Sequence, residues 1–264
     1  MRPHLHLSLK YFIMPHWEIV ILFFIIAAVY ASVGFGGGSS YLAILAVSGI
    51  PFAEIRFTAL LCNIVVVSGG TYIFMRKGLL DLKKMGPLVL ASIPFAFWGA
   101  KLRISQHTFF VILGFTLIAT ALLLWFQEKM YANKAENPVL TNDKPLRNAL
   151  LGGGVGFLSG MVGIGGGIFL SPALHFQRWD EAKKIAATAS VFILCNSLAG
   201  IAGQLANLPT NIDFFRIGLL ACATFAGGQI GSRVGVGRFD HRLIRRVTAV
   251  LVCAAGVEVL IKHL

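Results

Sequence analysis

Apolar runs of roughly the length needed to cross a bilayer, about 20 residues, alternate along the chain with short polar segments. Two of these runs, 17–50 and 148–177, are interrupted by glycine clusters. The others read as continuous helices, because no glycine cluster or polar segment divides them. The pattern therefore predicts uninterrupted helical spans at residues 54–75, 86–102, 107–126, 181–206, 212–234 and 242–261.

The composition places this helical chain in a membrane. Of its 264 residues, 56% are hydrophobic and only 13% are charged, and the mean hydropathy is +0.77. A soluble domain could not cover its surface with so few polar residues. The polar stretch 127–147 is the longest break between apolar runs. We predict an all-α integral membrane protein with a first membrane repeat over 1–126, a cytoplasmic linker over 127–147 and a second membrane repeat over 148–264.

The two glycine clusters belong to an internal duplication. The stretch VGFGGGSSYLAIL at 33–45 aligns with VGIGGGIFLSPAL at 162–174, and Thr58 and Thr188 align further along with one inserted residue. Duplicated halves are common in secondary transporters.

Basic residues indicate how the two copies lie in the membrane. If each glycine-broken run enters and leaves on one side as a re-entrant hairpin, 16 of the 23 Lys and Arg residues share one side; if each run crosses once, the division is 12 to 11. Short cytoplasmic loops carry an excess of Lys and Arg. We therefore predict two repeats in inverted topology, each made of a re-entrant helical hairpin and three spanning helices.

The glycine tips are the first candidate substrate site. Irregular backbone at membrane depth is tolerated where protein buries it or water lines it, and a helix that starts there presents free N–H groups with a positive dipole end. Such an end attracts an anion. The predicted tip residues are Gly34, Gly36, Gly37, Gly38, Gly163, Gly165, Gly166 and Gly167. Tight helix packing is the competing interpretation, and we favour it for the ladder Gly152, Gly156 and Gly160, matched in the first copy by Ala27 and Ala31.

Polar residues inside the spans extend the candidate site. They could line a path for the substrate or bond only to their own helix. The candidates are Ser39, Ser40, Thr58, Asn63 and Ser68 in the first copy and Thr188, Ser190, Asn196 and Ser197 in the second. Arg56 and Lys184 precede two of these helices and could attract anions at a rim, but we favour the interpretation that they snorkel toward water.

The sequence lacks the residue patterns that several other functional classes require. No Ser, His and Asp set, HExxH motif or carboxylate cluster occurs at predicted membrane depth. The four cysteines lie in apolar stretches without CxxC spacing, and the basic residues form short clusters rather than one face. We expect no enzymatic activity, no cofactor, no metal and no nucleic-acid partner.

The two glycine motifs, followed by RFTALLCN at 56–63 and AATASVFILCN at 186–196, resemble the duplicated signature of the TauE/SafE sulfite exporter family over nearly the whole chain. The resemblance implies a multi-pass protein of the bacterial inner membrane that transports a small anion such as sulfite or an organosulfonate. The two tips differ in one respect, since Ser39, Ser40 and Tyr41 in the first copy stand where Ile168, Phe169 and Leu170 stand in the second.

Together these features predict a secondary transporter, an exporter, that works by alternating access and holds its anion between the two glycine tips. Its expected partners are the small anion and the lipid bilayer. The sequence leaves open the identity of the anion, coupling to a proton or ion gradient, and the oligomeric state. A passive anion channel and a non-transporting scaffold or sensor are the alternatives.

Overall fold

A computed structural model describes residues 17–32, 34–48, 50, 52–132, 144–205, 212–234 and 241–263. These residues form ten α-helices and no strand. In chain order the helices are α1 (Trp17–Ser32), α2 (Gly38–Val47), α3 (Phe52–Arg76), α4 (Leu82–Lys101), α5 (Gln106–Ala132), α6 (Pro145–Val162), α7 (Gly167–Phe176), α8 (Ala182–Gln204), α9 (Phe214–Val234) and α10 (His241–His263).

The all-helical prediction is confirmed, and both predicted breaks separate two helices, α1 from α2 and α6 from α7. Helix α5 continues to Ala132, so the first residues of the stretch predicted as a linker are helical; residues 133–143 lie outside the described residues. The helical bounds correct the edges of that linker, whereas the division into two repeats stays a prediction.

Four helical segments in the described ranges are long and apolar enough to cross a membrane: Glu54–Arg76, Gln106–Leu123, Ala182–Gln204 and Phe214–Arg233. Helices α1, α2 and α7 are apolar but shorter. Large apolar side chains such as Trp98 and Phe215 are exposed on the outside of the helices, where a bilayer would cover them.

The packing of the helices repeats when the two halves are exchanged. Helix α4 packs against α6 and α8, and the corresponding helix of the second half, α9, packs against α1 and α3. Helices α3 and α8 pack against each other, as do α5 and α10. Each half therefore buries its helices against the other half, and the duplication seen in the sequence is also present in the packing.

Glycine ladders allow the closest of these contacts. A β-carbon at Gly156 would lie 2.6 Å from the Ser92 carbonyl oxygen, and Gly152 and Gly160 lie equally close to the α4 backbone. The interpretation of this ladder as packing is thus confirmed. At the equivalent interface of α1 with α9, the glycines are Gly227 and Gly231 on α9, which face the segment of α1 that contains Ala27. Helix packing therefore explains these glycines without any ligand.

The directions of the central helices follow from their close contacts. A β-carbon at Gly200 would lie 2.9 Å from Leu60, and one at Gly70 would lie 3.6 Å from Ser190 Oγ, so residue numbers rise along α3 as they fall along α8. Helices α3 and α8 are antiparallel. By the same kind of contact, α9 runs parallel to both α1 and α3, because residue numbers rise together at each interface. Helices α1 and α3 consequently run in the same direction.

Candidate functional site

Five tip glycines have backbone conformations that other residues rarely adopt. Gly34, Gly37, Gly163, Gly165 and Gly166 all have φ between +83° and +87°. Side chains disfavour this left-handed region, whereas glycine enters it freely. The glycine clusters therefore make the sharp turns that separate α1 from α2 and α6 from α7.

Each turn places the start of a short helix at the centre of the protein. Gly37 precedes α2 and Gly166 precedes α7, both in the left-handed conformation, and no side chain of a described residue caps either helix. The N–H groups of a first helical turn have no partner within their own helix. Both helix starts therefore present hydrogen-bond donors and the positive end of the helix dipole.

The two tips touch each other. A β-carbon at Gly38 would lie 2.5 Å from the carbonyl oxygen of Ile164 in the second tip, and one at Gly167 would lie 3.7 Å from the ring of Phe35 in the first. Segments about 130 residues apart in sequence are thus brought into contact. Glycine is required here for close approach as well as for its φ angle.

Asn63, a predicted site residue on α3, lies between the two tips. It is fully buried, and its Nδ2 donates a hydrogen bond to the Ile164 carbonyl at 3.0 Å. A β-carbon at Gly36, Gly38 or Gly165 would collide with its amide group. Its Oδ1 has no hydrogen-bond partner among the described residues. Asn63 therefore joins the two tips and retains one free acceptor.

Further buried polar atoms at the tips have no protein partner in the described part of the chain: Ser39 Oγ, Ser159 Oγ and Ser197 Oγ. Both amide atoms of the predicted Asn196, which is buried on α8, also have none among the described residues. A β-carbon at Gly165 would lie 3.1 Å from Ser197 Oγ and 2.8 Å from Asn63 Nδ2. An unsatisfied buried polar group costs about 1–3 kcal/mol. A cluster of such atoms indicates a place for water or a polar solute.

Other predicted residues bond within the protein. Ser40 shares a hydrogen bond with Tyr30 at 2.8 Å, and Ser190 shares one with Thr71 at 2.7 Å across the α3–α8 interface. Thr58 and Thr188 are buried on α3 and α8. Ser40 and Ser190 therefore need no ligand to satisfy their hydroxyl groups, and their predicted role in binding remains a prediction.

The predicted candidates omitted one of the polar residues at the tips, Ser159. A β-carbon at Gly166 would lie 3.2 Å from Ser159 Oγ, and the Ser159 carbonyl accepts the Gly163 N–H at 2.7 Å at the end of α6. Its position four residues before the tip glycine Gly163 was the only available signal. Ser197, which was among the candidates, does lie at the second tip.

The expectation that Arg56 snorkels is wrong. Its side chain is only 8% exposed, and Nη2 donates hydrogen bonds to the carbonyl oxygens of Gly160 at 2.9 Å and Ala100 at 3.2 Å. Both carbonyls lie near the C-terminal ends of helices, α6 and α4, where helical partners are lacking. These helix ends pack over Arg56 and prevent it from reaching water.

Ionic contacts tie the two halves together at two places. Lys84 of α4 pairs with Asp180 before α8 at 3.0 Å and donates to the Trp179 carbonyl, and Lys184 also pairs with Asp180. Lys184 is therefore an ion-pair partner rather than only a snorkelling side chain. Glu54 of α3 pairs with Arg216 of α9 at 2.5 Å. These contacts occupy equivalent positions in the packing, the N-terminal ends of α3 with α9 and of α8 with α4.

The Asp180 carboxyl group outside the spans has a perturbed pKa. Burial by itself raises the pKa of Asp180, but the Glu181 N–H and the charged Lys84 and Lys184 outweigh that effect and hold the pKa below its ordinary value. Asp180 is therefore a stable anion at neutral pH.

No group of three or more His, Cys, Asp or Glu side chains among the described residues is arranged to hold a metal ion.

Comparison with known proteins identifies the family of the chain. The family model described as sulfite exporter TauE/SafE matches residues 19–259. The chain belongs to the TauE/SafE family. Among curated relatives it is similar to "Probable membrane transporter protein y4hK" of Sinorhizobium fredii, with 34% identity over 92% of this chain and 97% of the relative.

A second relative is "Probable membrane transporter protein YjnA" of Bacillus subtilis, with 23% identity over 92% of this chain and 99% of the relative. A third, "Probable membrane transporter protein ORF9" of Sinorhizobium sp, is 27% identical over 89% of this chain and 88% of the relative. No solved structure matches the chain significantly. The chain thus matches these relatives over nearly their full length, and the family and its named relatives point to a membrane transporter.

Proposed function

We propose that the protein is a secondary transporter that exports a small anion, such as sulfite or an organosulfonate, across the bacterial inner membrane. One observation carries the proposal: two uncapped helix starts meet at the centre of the protein beside buried polar atoms that lack partners. A buried site with free N–H donors at two helix N-termini favours a small anion.

The groups at this site could bind an anion reversibly. The first turns of α2 and α7 supply partial positive charge rather than a full ionic partner. Ser39 and Ser197 add hydroxyl groups that can donate to an oxyanion. Bonds of this kind hold an anion inside the membrane and still allow its release.

Inverted repeats are the second part of the proposal. The antiparallel packing of α3 against α8 and the parallel course of α1 and α3 support it. If α1 and α3 run in one direction, the chain must return through α2, so that α1 and α2 form a re-entrant hairpin. The excess of Lys and Arg on one side under this topology agrees with a cytoplasmic location for that side.

Alternating access is the third part. With inverted repeats, the Glu54–Arg216 contact and the Lys84–Asp180 contact lie toward opposite sides of the membrane, with the tips between them. Each contact joins a residue of one half to a residue of the other. Breaking one contact while the other persists would open the tip site to one side only.

The test is flux from proteoliposomes that contain the purified protein. Efflux of radiolabelled sulfite, sulfoacetate and thiosulfate is measured with and without an imposed pH gradient and membrane potential. We expect flux of at least one anion to saturate with concentration and to depend on a gradient. Unsaturable flux would identify a passive channel instead, and no flux of any of the three from vesicles with verified folded protein would reject the proposal for this anion class.

A further inference from the structure

Arg56 is the buried cation next to the second glycine tip. A β-carbon at Gly163 would lie 3.3 Å from Arg56 Cβ, and the guanidinium carbon lies 5.9 Å from the centre of the Phe109 ring. The arginine therefore packs between the end of α6, its own helix α3 and α5. Along α3 it stands seven residues before Asn63, which is about 10 Å at the helical rise.

The described part of the chain supplies no ionic partner for this charge. Among the residues that the structure describes, no carboxylate forms an ion pair with Arg56, and the nearby Glu54 is paired with Arg216. The two helix-end carbonyls receive hydrogen bonds from Nη2, whereas the buried Nε has no partner in the described ranges. The guanidinium thus keeps hydrogen-bonding capacity and positive charge beyond what the two carbonyls satisfy.

The other half shows that the fold itself does not need an arginine here. The residue equivalent to Arg56 is Ala186, which lies against the first tip in the same way: a β-carbon at Gly34 would lie 3.4 Å from Ala186 Cβ. A glycine tip can therefore pack on alanine at this position. Burial of a charge is costly unless something compensates it, so the extra charge in one half calls for a function.

We propose that Arg56 is a specificity-determining residue, which recognises an oxyanion by a charge-assisted contact next to the second tip. The proposal rests on the function proposed above and narrows its substrate class to anions with sulfonate, sulfite or carboxylate oxygens, which accept hydrogen bonds from a guanidinium. The anion approaches the donors left free by the two carbonyls. One half of the protein thus supplies the fixed charge, and the tips supply the neutral donors.

The test compares Arg56→Gln, Arg56→Lys and the control Lys262→Gln. Lys262 loses the same charge but lies in an exposed pair with Glu258 on α10. Saturable efflux of sulfite and sulfoacetate gives KM and maximal rate for each variant. Loss of a charge-assisted hydrogen bond corresponds to roughly a 10- to 100-fold rise in KM. We expect this rise in Arg56→Gln, a smaller rise in Arg56→Lys, and wild-type values in Lys262→Gln.

A second readout separates recognition from support of the fold. A ligand that binds the native state raises Tm, so the rise in Tm caused by added sulfite is measured in detergent for each purified variant. We expect sulfite to stabilise the wild type and Lys262→Gln, and to stabilise Arg56→Gln only at about ten times the concentration or more. In Arg56→Lys the ammonium group can still donate hydrogen bonds to the two helix-end carbonyls. This variant therefore allows the test to be made if Arg56→Gln does not fold.

Two results would overturn the inference: an unchanged KM with an unchanged sulfite dependence of Tm in every Arg56 variant that folds, or a lower maximal rate in both variants with KM unchanged. Either would assign Arg56 to support of the two helix ends alone. Failure of the proposed function looks different, because then the wild type itself shows neither flux nor stabilisation with any of the anions.

Discussion

The two halves of the protein have matching backbones at the tips but different side chains around them. Gly34 and Gly163, and likewise Gly37 and Gly166, share nearly the same φ. Around this common backbone, Asn63 of the first half takes the place that Ile193 has in the second, since each lies against the glycines of its own tip.

The same comparison holds at two further positions. Val67 lies beside Gly36 where Ser197 lies beside Gly165, and Arg56 stands where Ala186 stands in the other half. The polar groups are thus distributed between the halves rather than duplicated. The duplication thus preserved the backbone of the tips, whereas each half supplies only some of the polar side chains around them.

The largest effect is expected from breaking the backbone that the two halves share. Gly37→Leu and Gly166→Leu each place a side chain at a left-handed φ and against neighbours within about 3 Å. We expect anion flux to fall to background in both variants while the protein still inserts in the membrane. The assay is proteoliposome efflux normalised to inserted protein.

The matched control is Gly154→Leu, because a β-carbon at Gly154 has no neighbouring atom within 4 Å and its φ is not in the left-handed region. It should retain wild-type flux. Full activity in either tip variant would show that the tips are not part of the transport path.

A smaller effect is expected when the polar group of one half is replaced by the residue of the other. Asn63→Ile copies Ile193 and removes the amide that joins the two tips through the Ile164 carbonyl. We expect saturable flux to fall by about tenfold or more, since hydrogen-bonding groups at the site are lost.

The double variant Asn63→Ile/Val67→Ser gives the first half the pair found in the second, Ile193 and Ser197. If a hydroxyl beside the first tip can substitute for the amide, this variant recovers part of the flux, measured by the same efflux assay. Wild-type flux in Asn63→Ile alone would mean that the difference between the half-sites has no bearing on transport.

The ionic contacts extend the comparison to the ends of the helices. Lys84→Gln breaks the ion pair between Lys84 and Asp180. Both side chains of this pair are largely buried, with 12% and 5% of their surface exposed. We expect a loss of stability of about 1–3 kcal/mol, because the buried Asp180 carboxylate loses a charged hydrogen-bond partner and keeps only Lys184. Thermal unfolding in detergent measures it as a decrease in Tm.

Lys262→Gln again serves as the control, since the Lys262–Glu258 pair is about half exposed on both sides. Exposed pairs contribute only about 0–1 kcal/mol, so its Tm should change less than that of Lys84→Gln. Equal decreases in the two variants would show that the Lys84–Asp180 contact does not hold the halves together more strongly than a surface pair.

The smallest expected effect concerns the pH dependence of stability at Asp180. Folding lowers the pKa of Asp180, so the ionised carboxylate stabilises the folded protein. This stabilisation is complete above the ordinary pKa of about 4 and is lost as pH falls through the lowered pKa. The difference in Tm between the wild type and Asp180→Asn should be constant from pH 8 to about pH 5 and shrink below about pH 4. A difference that shrinks near neutral pH would contradict the depressed pKa.

Much of the fold could be predicted from local patterns. The apolar runs placed the spans within a few residues of the helices, and the two glycine clusters located both breaks, because apolar length and the conformational freedom of glycine act over short stretches of chain. The edges of the predicted linker were less accurate, since α5 continues to Ala132 through a polar stretch. Polarity alone did not mark where that helix ends.

The sequence by itself determined that this is a helical membrane protein with two glycine-broken repeats. Only the tertiary structure decided which polar residues face the tips. Asn63 bonds to Ile164, and Arg56 to Gly160, across more than 100 residues of chain. Ser40 and Ser190 instead find partners on neighbouring helices. Such pairings depend on how distant helices pack, because a buried hydroxyl, amide or guanidinium bonds to whatever the packing brings within reach.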